Sequence, residues 1–418
     1  MSFAYRNGVL CAGQVPLDDI ARRFGTPCYV YSRAAIERAY GEFAQALAGR
    51  DALLCYSVKA NSNLAVLALM ARLGSGFDIV SGGELARVLA AGGDPRTTVF
   101  SGVGKTEAEI ERALAARLLC INLESEAELE RVAGVAARLG ARAPVAFRVN
   151  PDIDPGTHPY ISTGLKKSKF GVPHREAQRL YREASRMPHI DVVGIGCHIG
   201  SQLTDSTPYV AAVERLVALT RDLEATGIRL HHIDIGGGIG IRYNDERQQP
   251  IREFLAGALA AVSGRRETLI VDPGRAIVGN AGVLLTRVEY LKPGDTKNFL
   301  VVDAAMNDLL RPALYDAWHD VWPVHEPRSG AAALECDVVG PVCESSDFLA
   351  RERRLAAHAG DLLSVMSAGA YGMSMSSNYN SRPRAAEVLV DGDQVHLVRK
   401  REALEALFAQ EVIPTWTR

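Results

Sequence analysis

The sequence has no marked excess of either charge. Its 418 residues include 47 Lys and Arg against 49 Asp and Glu, a formal net charge of −2. Proteins that bind nucleic acid or an anionic membrane through charge need a basic surface, which this balance gives no reason to expect. The best candidate for a long apolar run, 64–73, is broken by Arg72 and falls short of the ~18 residues of a membrane-spanning helix. We expect neither nucleic acid nor a membrane as partner.

Secretory and metal-binding features are equally scarce. The first residues have no basic region followed by an apolar one, so a secretory signal is not expected. The seven cysteines are scattered, and none forms a Cys-x-x-Cys pair. His231 and His232 are adjacent on a predicted strand, face opposite sides and cannot bind one metal together. This usage predicts a reducing, cytoplasmic compartment with no disulfide framework and no metal site.

From about residue 52, short aliphatic runs alternate with longer helical patterns. This alternation is typical of a parallel sheet with helical crossovers. At ~150 residues per domain, the length predicts two or three domains, or one large barrel with a companion. Eight strands fit the ~250 residues of an α/β barrel, with a doubly wound open sheet as the alternative. The predicted strands are 52–58, 77–80, 98–101, 119–123, 144–149, 192–197, 231–235 and 268–271.

Chemically unusual residues stand at the carboxyl end of nearly every predicted strand. In a barrel these ends converge on one mouth, where the active sites of this fold are found. This coincidence favours the barrel over the open sheet. The residues are Lys59, Asp78, Ser81, Ser101, Glu124, Arg148, Asn150, His198, the glycines 236–238, and Asp272, Gly274 and Arg275.

After residue 280 the pattern changes to short apolar runs without regular helical crossovers. This change predicts an all-β second domain, with one helical insertion near 314–321. We therefore predict an α/β plus all-β protein. A (β/α)8 TIM-type barrel occupies 30–280, and residues 1–29 plus 281–418 form the β domain.

Three motifs at the predicted mouth carry candidate chemistry. Lys59, directly after the first strand, is positioned to form a Schiff base, although a solvated surface lysine is the alternative. The glycine-rich run 234–240 and Arg275 follow strands seven and eight, where barrels commonly hold a phosphate, although the glycines alone also suit a tight turn. His198 offers a ring that could lie against a planar cofactor, or a core histidine bonded to backbone.

Together these motifs resemble the fold-type III decarboxylases that use pyridoxal 5′-phosphate. The resemblance covers nearly the whole chain and implies an alanine-racemase-like barrel with a C-terminal β-sandwich or β-barrel domain. The matching segments are 20–31, 56–61, 81–85, 162–164, 169–171, 197–202, 234–238, 311–315, 343–345 and 370–371.

The resemblance implies a pyridoxal 5′-phosphate site at the barrel mouth. Lys59 resembles the lysine that holds the cofactor covalently, and His198 the imidazole stacked on its ring. Asp272 stands where the family usually has a glutamate, whose carboxylate pairs with the pyridine nitrogen, and it is one methylene shorter. The other implied cofactor-binding residues are Asp78, Ser201, Gly237, Gly238, Gly274, Arg275 and Tyr371.

The resemblance also implies an amino-acid substrate and a homodimer. Cys343 resembles the proton donor and Glu344 the acceptor for a distal ammonium; in the family both reach the site from the neighbouring subunit. The implied ligands of substrate carboxylate are Arg275, Arg311 and Tyr315, with Tyr371 as a further substrate-binding residue.

Within the family, the resemblance is to members that convert meso-2,6-diaminopimelate to L-lysine and CO2, the last step of lysine biosynthesis. Both ends of that substrate are amino acids, so choosing one centre requires anchors at the other, and Arg311 with Glu344 has the complementary charges. The alternatives are a decarboxylase of a basic amino acid or carboxynorspermidine, a racemase, and a non-catalytic cofactor carrier. A racemase would need a tyrosine in place of Cys343, and a carrier would lack the β domain.

Overall fold

A computed structural model gives the fold for residues 3–153, 169–327 and 330–417. The chain divides into two compact units. The barrel unit comprises Arg38–Arg242 and Glu246–Ile277, and the β unit comprises Met1–Glu37, Tyr243–Asp245 and Val278–Arg418. Within the described ranges, no helix combines the length and the apolar character needed to cross a membrane.

The described residues form strands β1 to β21 and helices α1 to α11. The strands are β1 (Phe3–Arg6), β2 (Val9–Ala12), β3 (Val15–Pro16), β4 (Cys28–Ser32), β5 (Ala52–Ser57), β6 (Gly76–Ile79), β7 (Thr98–Phe100), β8 (Cys120–Leu123), β9 (Ala143–Asn150), β10 (Val172–Pro173), β11 (Ile190–Gly196), β12 (His232–Asp234), β13 (Thr268–Val271), β14 (Gly282–Lys292), β15 (Asn298–Val302), β16 (Val321–Pro323), β17 (Leu334–Val339), β18 (Phe348–Leu355), β19 (Leu362–Val365), β20 (Ala386–Asp391) and β21 (Gln394–Arg399). The helices are α1 (Leu17–Phe24), α2 (Arg33–Ala46), α3 (Leu64–Arg72), α4 (Gly82–Ala90), α5 (Glu107–Ala116), α6 (Glu126–Arg138), α7 (His174–Ala184), α8 (Thr207–Ala225), α9 (Ile251–Ala261), α10 (Arg275–Val278) and α11 (Arg311–Tyr315).

Eight parallel strands close into a barrel in the order β5-β6-β7-β8-β9-β11-β12-β13. The ring is completed because β13 pairs in parallel with β5, and β10 lies outside it as a short addition to β9. Each of the eight predicted strand segments overlaps one barrel strand. The predicted barrel is confirmed, and the open sheet is excluded.

The barrel strands and helices follow from local sequence. Strands such as β8 and β13 read as near-continuous apolar runs because parallel strands in this fold are covered on both faces. Several helices start on a hydroxyl side chain just after a strand. The Oγ atoms of Ser81 and Ser125 accept the N–H of Glu84 and Glu128, and Thr106 forms a capping box with Glu109. These caps fix where each strand end gives way to its helix.

The β unit is built around a branched nine-stranded sheet. Its main path runs β18-β17-β15-β14-β4-β20-β21, with β19 pairing β14 and β16. The N-terminal strand β4 lies between β14 and β20 and is buried along its whole length. The predicted domain boundary at residue 30 falls inside this strand. A separate three-stranded sheet, β1-β2-β3, shares one apolar core with strands β4, β14 and β20.

Two local expectations for the β unit differ from the structure. The helical insertion predicted near 314–321 is present but shorter and earlier: α11 spans Arg311–Tyr315, Asp316 adopts a left-handed backbone with φ 49°, and the chain enters β16 at Val321. Strand β18 was not anticipated, because its FLARERRL sequence carries four charged residues in a row. It is paired with β17 alone at the end of the sheet path, where charged side chains are tolerated.

Gly194 in β11 gives a test of barrel packing. A Cβ atom there would lie 2.0 Å from Nε2 of His232, a buried side chain on the paired strand β12. We expect Gly194→Ala to lower the free energy of unfolding by about 1–3 kcal/mol, because a close-packed interior has no room for the methyl group. Urea unfolding followed by circular dichroism measures the change.

The matched control is Gly134→Ala on the exposed face of α6, where an added Cβ meets nothing within 4 Å. It should raise stability by about 0.5–1 kcal/mol through helix propensity alone. Equal effects of the two substitutions would contradict the packing argument.

Candidate active site

Lys59 and Asp78 form an ion pair at the carboxyl end of the barrel. Lys59 lies in a single helical turn directly after β5, and its Nζ atom is 3.2 Å from Oδ2 of Asp78, at the end of β6. Asp78 also accepts hydrogen bonds from the hydroxyls of Ser57 (2.8 Å) and Ser101 (2.7 Å), and its side chain is 1% exposed. Burial alone would raise the pKa of Asp78, but Lys59 and the two hydroxyls bring it below its ordinary value. An ionised carboxylate therefore holds the Lys59 amine.

Asp272 supplies a further buried carboxylate at this end of the barrel. It follows β13, and its buried Oδ1 atom has no hydrogen-bond partner among the described residues. Nδ1 of His198 lies 3.8 Å away, beyond hydrogen-bond distance, and itself receives a long contact from the Gly237 N–H at 3.5 Å. A buried carboxylate oxygen without a partner is costly, so this one suits a ligand that carries an N–H donor.

Three glycines beside this carboxylate lie where the backbone is closely packed. A Cβ on Gly238, whose φ is +83°, would lie 2.1 Å from the carbonyl oxygen of Gly200. A Cβ on Gly237 would lie 2.4 Å from the carbonyl oxygen of Asp272, and one on Gly274 would lie 2.9 Å from Cβ of Ala60. No side chain fits at these three positions, so the neighbouring segments lie closer together than any other residue would allow.

The arginine Arg275 directly follows the last of these glycines. Arg275, which begins α10, is buried, and its Nη2 donates to the hydroxyl of Ser201 at 2.9 Å. Glycine backbone with an adjacent guanidinium is the chemistry that binds a phosphate. Together with the Lys59 amine and the partnerless Asp272 oxygen, these residues fit pyridoxal 5′-phosphate, which has an aldehyde, a ring nitrogen and a phosphate.

The structure adds mouth residues to which the sequence assigned no role. Asp234, at the end of β12, is buried and accepts the Gly236 N–H at 2.8 Å. Burial, and next the charge of Asp272, raise the pKa of Asp234 well above its ordinary value, so Asp234 holds a proton more readily than an isolated aspartic acid. Arg148 is 3.3 Å from Glu124. Each lies in or directly after the last residues of a barrel strand, and that position was the available signal.

The predicted substrate residue Arg311 lies within the β unit. It begins α11, is buried, and its Nη1 is 2.8 Å from Nε2 of His319. The guanidinium carbon is 4.5 Å from the ring centre of Tyr243. Tyr315 ends the same short helix and is half-buried, and Tyr371 has a left-handed backbone with φ 56°.

Cys343 and Glu344 lie together on an exposed loop after β17. The N–H of Cys343 donates to Oδ1 of Asn380 at 2.8 Å, and the hydroxyl of Tyr379 donates to Oε2 of Glu344 at 3.3 Å. The structure thus brings the predicted thiol and distal carboxylate side by side. The segment 162–164, part of the family resemblance, lies outside the described residues.

Fold and site together define a barrel-type pyridoxal-phosphate enzyme with an additional β unit. The family described as "Pyridoxal-dependent decarboxylase, pyridoxal binding domain" matches residues 33–279. The predicted cofactor, pyridoxal 5′-phosphate, is confirmed by this match.

Similar proteins show to which family of pyridoxal-phosphate enzymes the chain belongs. Diaminopimelate decarboxylase of Pseudomonas aeruginosa is 58% identical over 410 residues, covering 98% of each chain. That of Vibrio cholerae is 56% identical over 408 residues, covering 97% of each. The crystal structure of diaminopimelate decarboxylase from Helicobacter pylori complexed with L-lysine superposes with a TM-score of 0.91 at 43% identity, covering 94% of this chain and 99% of that one. The chain belongs to the diaminopimelate decarboxylase family.

The close packing around Gly238 predicts a specific loss of cofactor affinity. Gly238→Ala should weaken binding of pyridoxal 5′-phosphate by about ten-fold or more, because the methyl group would displace the backbone that surrounds the phosphate. Titration of the apoprotein with the cofactor, followed by absorbance, measures the affinity.

Gly227→Ala is the control for backbone strain, because Gly227 has φ +87° and nothing within 4 Å of an added Cβ. It should cost about 1 kcal/mol of stability with cofactor affinity unchanged. If both variants bound the cofactor as the wild type does, Gly238 would not belong to the phosphate site.

Proposed function

We propose that this chain catalyses the decarboxylation of meso-2,6-diaminopimelate to L-lysine and CO2. The observation that carries the chemistry is the Lys59 amine held 3.2 Å from Asp78, in a barrel mouth where the Oδ1 atom of Asp272 has no hydrogen-bond partner among the described residues. The family supports the substrate, and the Helicobacter pylori relative with L-lysine bound is a complex with the product of this reaction.

The chain would hold the cofactor at three points. Lys59 would bind its aldehyde carbon through Nζ, Asp272 would accept a hydrogen bond from its protonated ring nitrogen, and Ser201, Gly237, Gly238, Gly274 and Arg275 would bind its phosphate, with Tyr371 of the β unit as a further ligand. His198 would lie against its ring. When bound, pyridoxal phosphate accepts the electron pair that the departing carboxylate leaves behind. Asp272 favours this because a carboxylate beside the ring nitrogen keeps that nitrogen protonated.

The substrate requires recognition at both ends. Arg275, Arg311 and Tyr315 are assigned to substrate carboxylate, and Glu344 to the distal ammonium. A guanidinium binds a carboxylate in a planar, two-bonded fashion, and a carboxylate complements an ammonium. A simple diamine precursor such as ornithine lacks the distal carboxylate, so this pair of anchors favours diaminopimelate.

The reaction replaces one bond at the α-carbon. The bond to the carboxylate carbon breaks, CO2 leaves, and a C–H bond forms in its place, so one proton must be delivered to the α-carbon. We assign this proton to the thiol of Cys343, which becomes a thiolate and is reprotonated from solvent. Its exposure on a loop beside Glu344 supports the role, because a proton donor to a bound substrate must be accessible.

The assembly belongs to the same proposal. We infer a homodimer in which Cys343 and Glu344 serve the neighbouring subunit, a cytoplasmic enzyme, and a barrel domain over 30–280 with a β domain built from 1–29 and 281–418. The exposure of Cys343, Glu344 and Tyr379 in the single chain supports such an arrangement, because reacting groups are otherwise shielded from water.

A substrate panel tests the function. The purified protein with pyridoxal 5′-phosphate should release CO2 from meso-diaminopimelate and form L-lysine, with turnover at least about a hundred-fold above that on ornithine, arginine or lysine. Trapped CO2 and chromatography of the amine products measure it. Release from ornithine but not from diaminopimelate would overturn the substrate assignment.

Cys343→Ala tests the proton donor. Turnover should fall by about 10²–10⁴-fold, the usual contribution of a positioned acid, while cofactor absorbance is retained. Cys336→Ala in β17 is the matched control, because Cys336 is buried in the same unit and is assigned no role. Its turnover should match the wild type, and wild-type turnover of Cys343→Ala would remove the thiol from the mechanism.

A further inference from the structure

A buried histidine beside Arg311 is the strongest feature that the proposed function leaves unassigned. His319 lies four residues after α11 and is 0% exposed. Its Nε2 is 2.8 Å from Nη1 of Arg311, and its Nδ1 is 2.8 Å from the carbonyl oxygen of Met366. Both ring nitrogens are therefore within hydrogen-bond distance of a defined partner.

These two partners define the protonation of the ring. A carbonyl oxygen can only accept, so Nδ1 must carry the proton; a guanidinium can only donate, so Nε2 must offer its lone pair. Only the neutral tautomer protonated on Nδ1 satisfies both bonds. The imidazole thus ties the guanidinium of Arg311 to the backbone at Met366, next to strand β19.

Further contacts restrain both Arg311 and His319. The Tyr243 ring lies 4.5 Å from the Arg311 guanidinium carbon and meets the His319 ring edge-on at 5.2 Å. The carbonyl oxygen of His319 accepts from Nη2 of Arg353 at 3.2 Å, and the Arg353 guanidinium lies over the Trp318 ring. His319 is fixed through its backbone as well as its ring.

Such a fixed guanidinium matters for binding. An arginine has a long, flexible side chain, and orienting it costs conformational entropy each time a ligand binds unless the protein has already done so. The N–H groups that do not face His319 then stay aimed in a constant direction, as planar recognition of a carboxylate requires.

We propose that His319 is a positioning residue: it orients Arg311 for the substrate carboxylate and so sets the affinity for the substrate rather than the rate of bond breaking. The proposal rests on the proposed function, because Arg311 is assigned to the substrate there. His319 does not itself touch the substrate.

Two amide substitutions separate the two ring nitrogens. The amide of His319→Gln reaches the place of Nε2, where its oxygen accepts from Arg311, whereas the amide of His319→Asn reaches only the place of Nδ1 and bonds to Met366. We expect His319→Asn to raise KM for meso-diaminopimelate by about ten-fold or more with kcat within about three-fold, since uniform binding is lost. His319→Gln should keep KM within about three-fold of the wild type.

The second part of the experiment repeats both substitutions in the Arg311→Ala variant. If His319 acts through Arg311, the Asn and Gln substitutions give the same KM once Arg311 is alanine, because the interaction they alter is already gone. The control is His358→Asn in the same unit, whose side chain is 84% exposed, with its Nδ1 atom 3.6 Å from Oδ2 of Asp361; its KM should be that of the wild type.

Each remaining result overturns the proposal. Equal KM values for the Asn and Gln variants, a fall in kcat without a change in KM, or additive effects with Arg311→Ala would make His319 a packing residue. So would failure of His319→Asn to fold, judged by cofactor absorbance and thermal melting. Absence of CO2 release by the wild type, measured first, rejects instead the proposed function.

Discussion

The pairing of β13 with β5 is the constraint on which the barrel site depends. It joins residues more than 200 positions apart, with Leu269 opposite Ala52 and Val271 opposite Leu54. The pairing continues past the strand ends, where the N–H of Ser57 donates to the carbonyl oxygen of Pro273 at 3.1 Å. Because of this register, the turn that carries Lys59 lies against the segment with Asp272 and Gly274. Without closure, the amine and the carboxylate would belong to opposite edges of an open sheet.

Closure of the barrel also brings several buried carboxylates to its mouth, and the surroundings of each one differ. Lys59 and two hydroxyls lower the pKa of Asp78 and so favour its ionised form, whereas burial and the charge of Asp272 raise the pKa of Asp234. Asp272 has an oxygen with no protein partner among the described residues. One carboxylate thus orients the lysine, and under the proposed function another accepts a hydrogen bond from the ring nitrogen of the cofactor. The division follows from environment and not from residue type.

The β unit shows where sequence reasoning works and where it stops. Strands β14, β15, β17, β19 and β20 were predictable because each buries part of an apolar run, and β21 because its sequence is apolar although none of its residues is buried. Strand β18 was not, because four consecutive charged residues hide a strand that is held by backbone pairing at the end of the sheet. Cys343 and Glu344 were identifiable from the family resemblance, but their hydrogen-bond partners Asn380 and Tyr379 lie more than 30 residues away and carry no local signal.

The sequence by itself determined the alternation of strands and helices, the chemical residues at each strand end, and the family, since these are written in local periodicity and in short ordered motifs. Tertiary structure alone decided which of those residues meet: Lys59 with Asp78, Arg275 with Ser201, and Arg311 with His319 against Met366. The physical reason is that such pairs depend on sheet register and on chain reversal. A one-residue slip in register would turn every side chain of a strand to its other face without changing the sequence pattern.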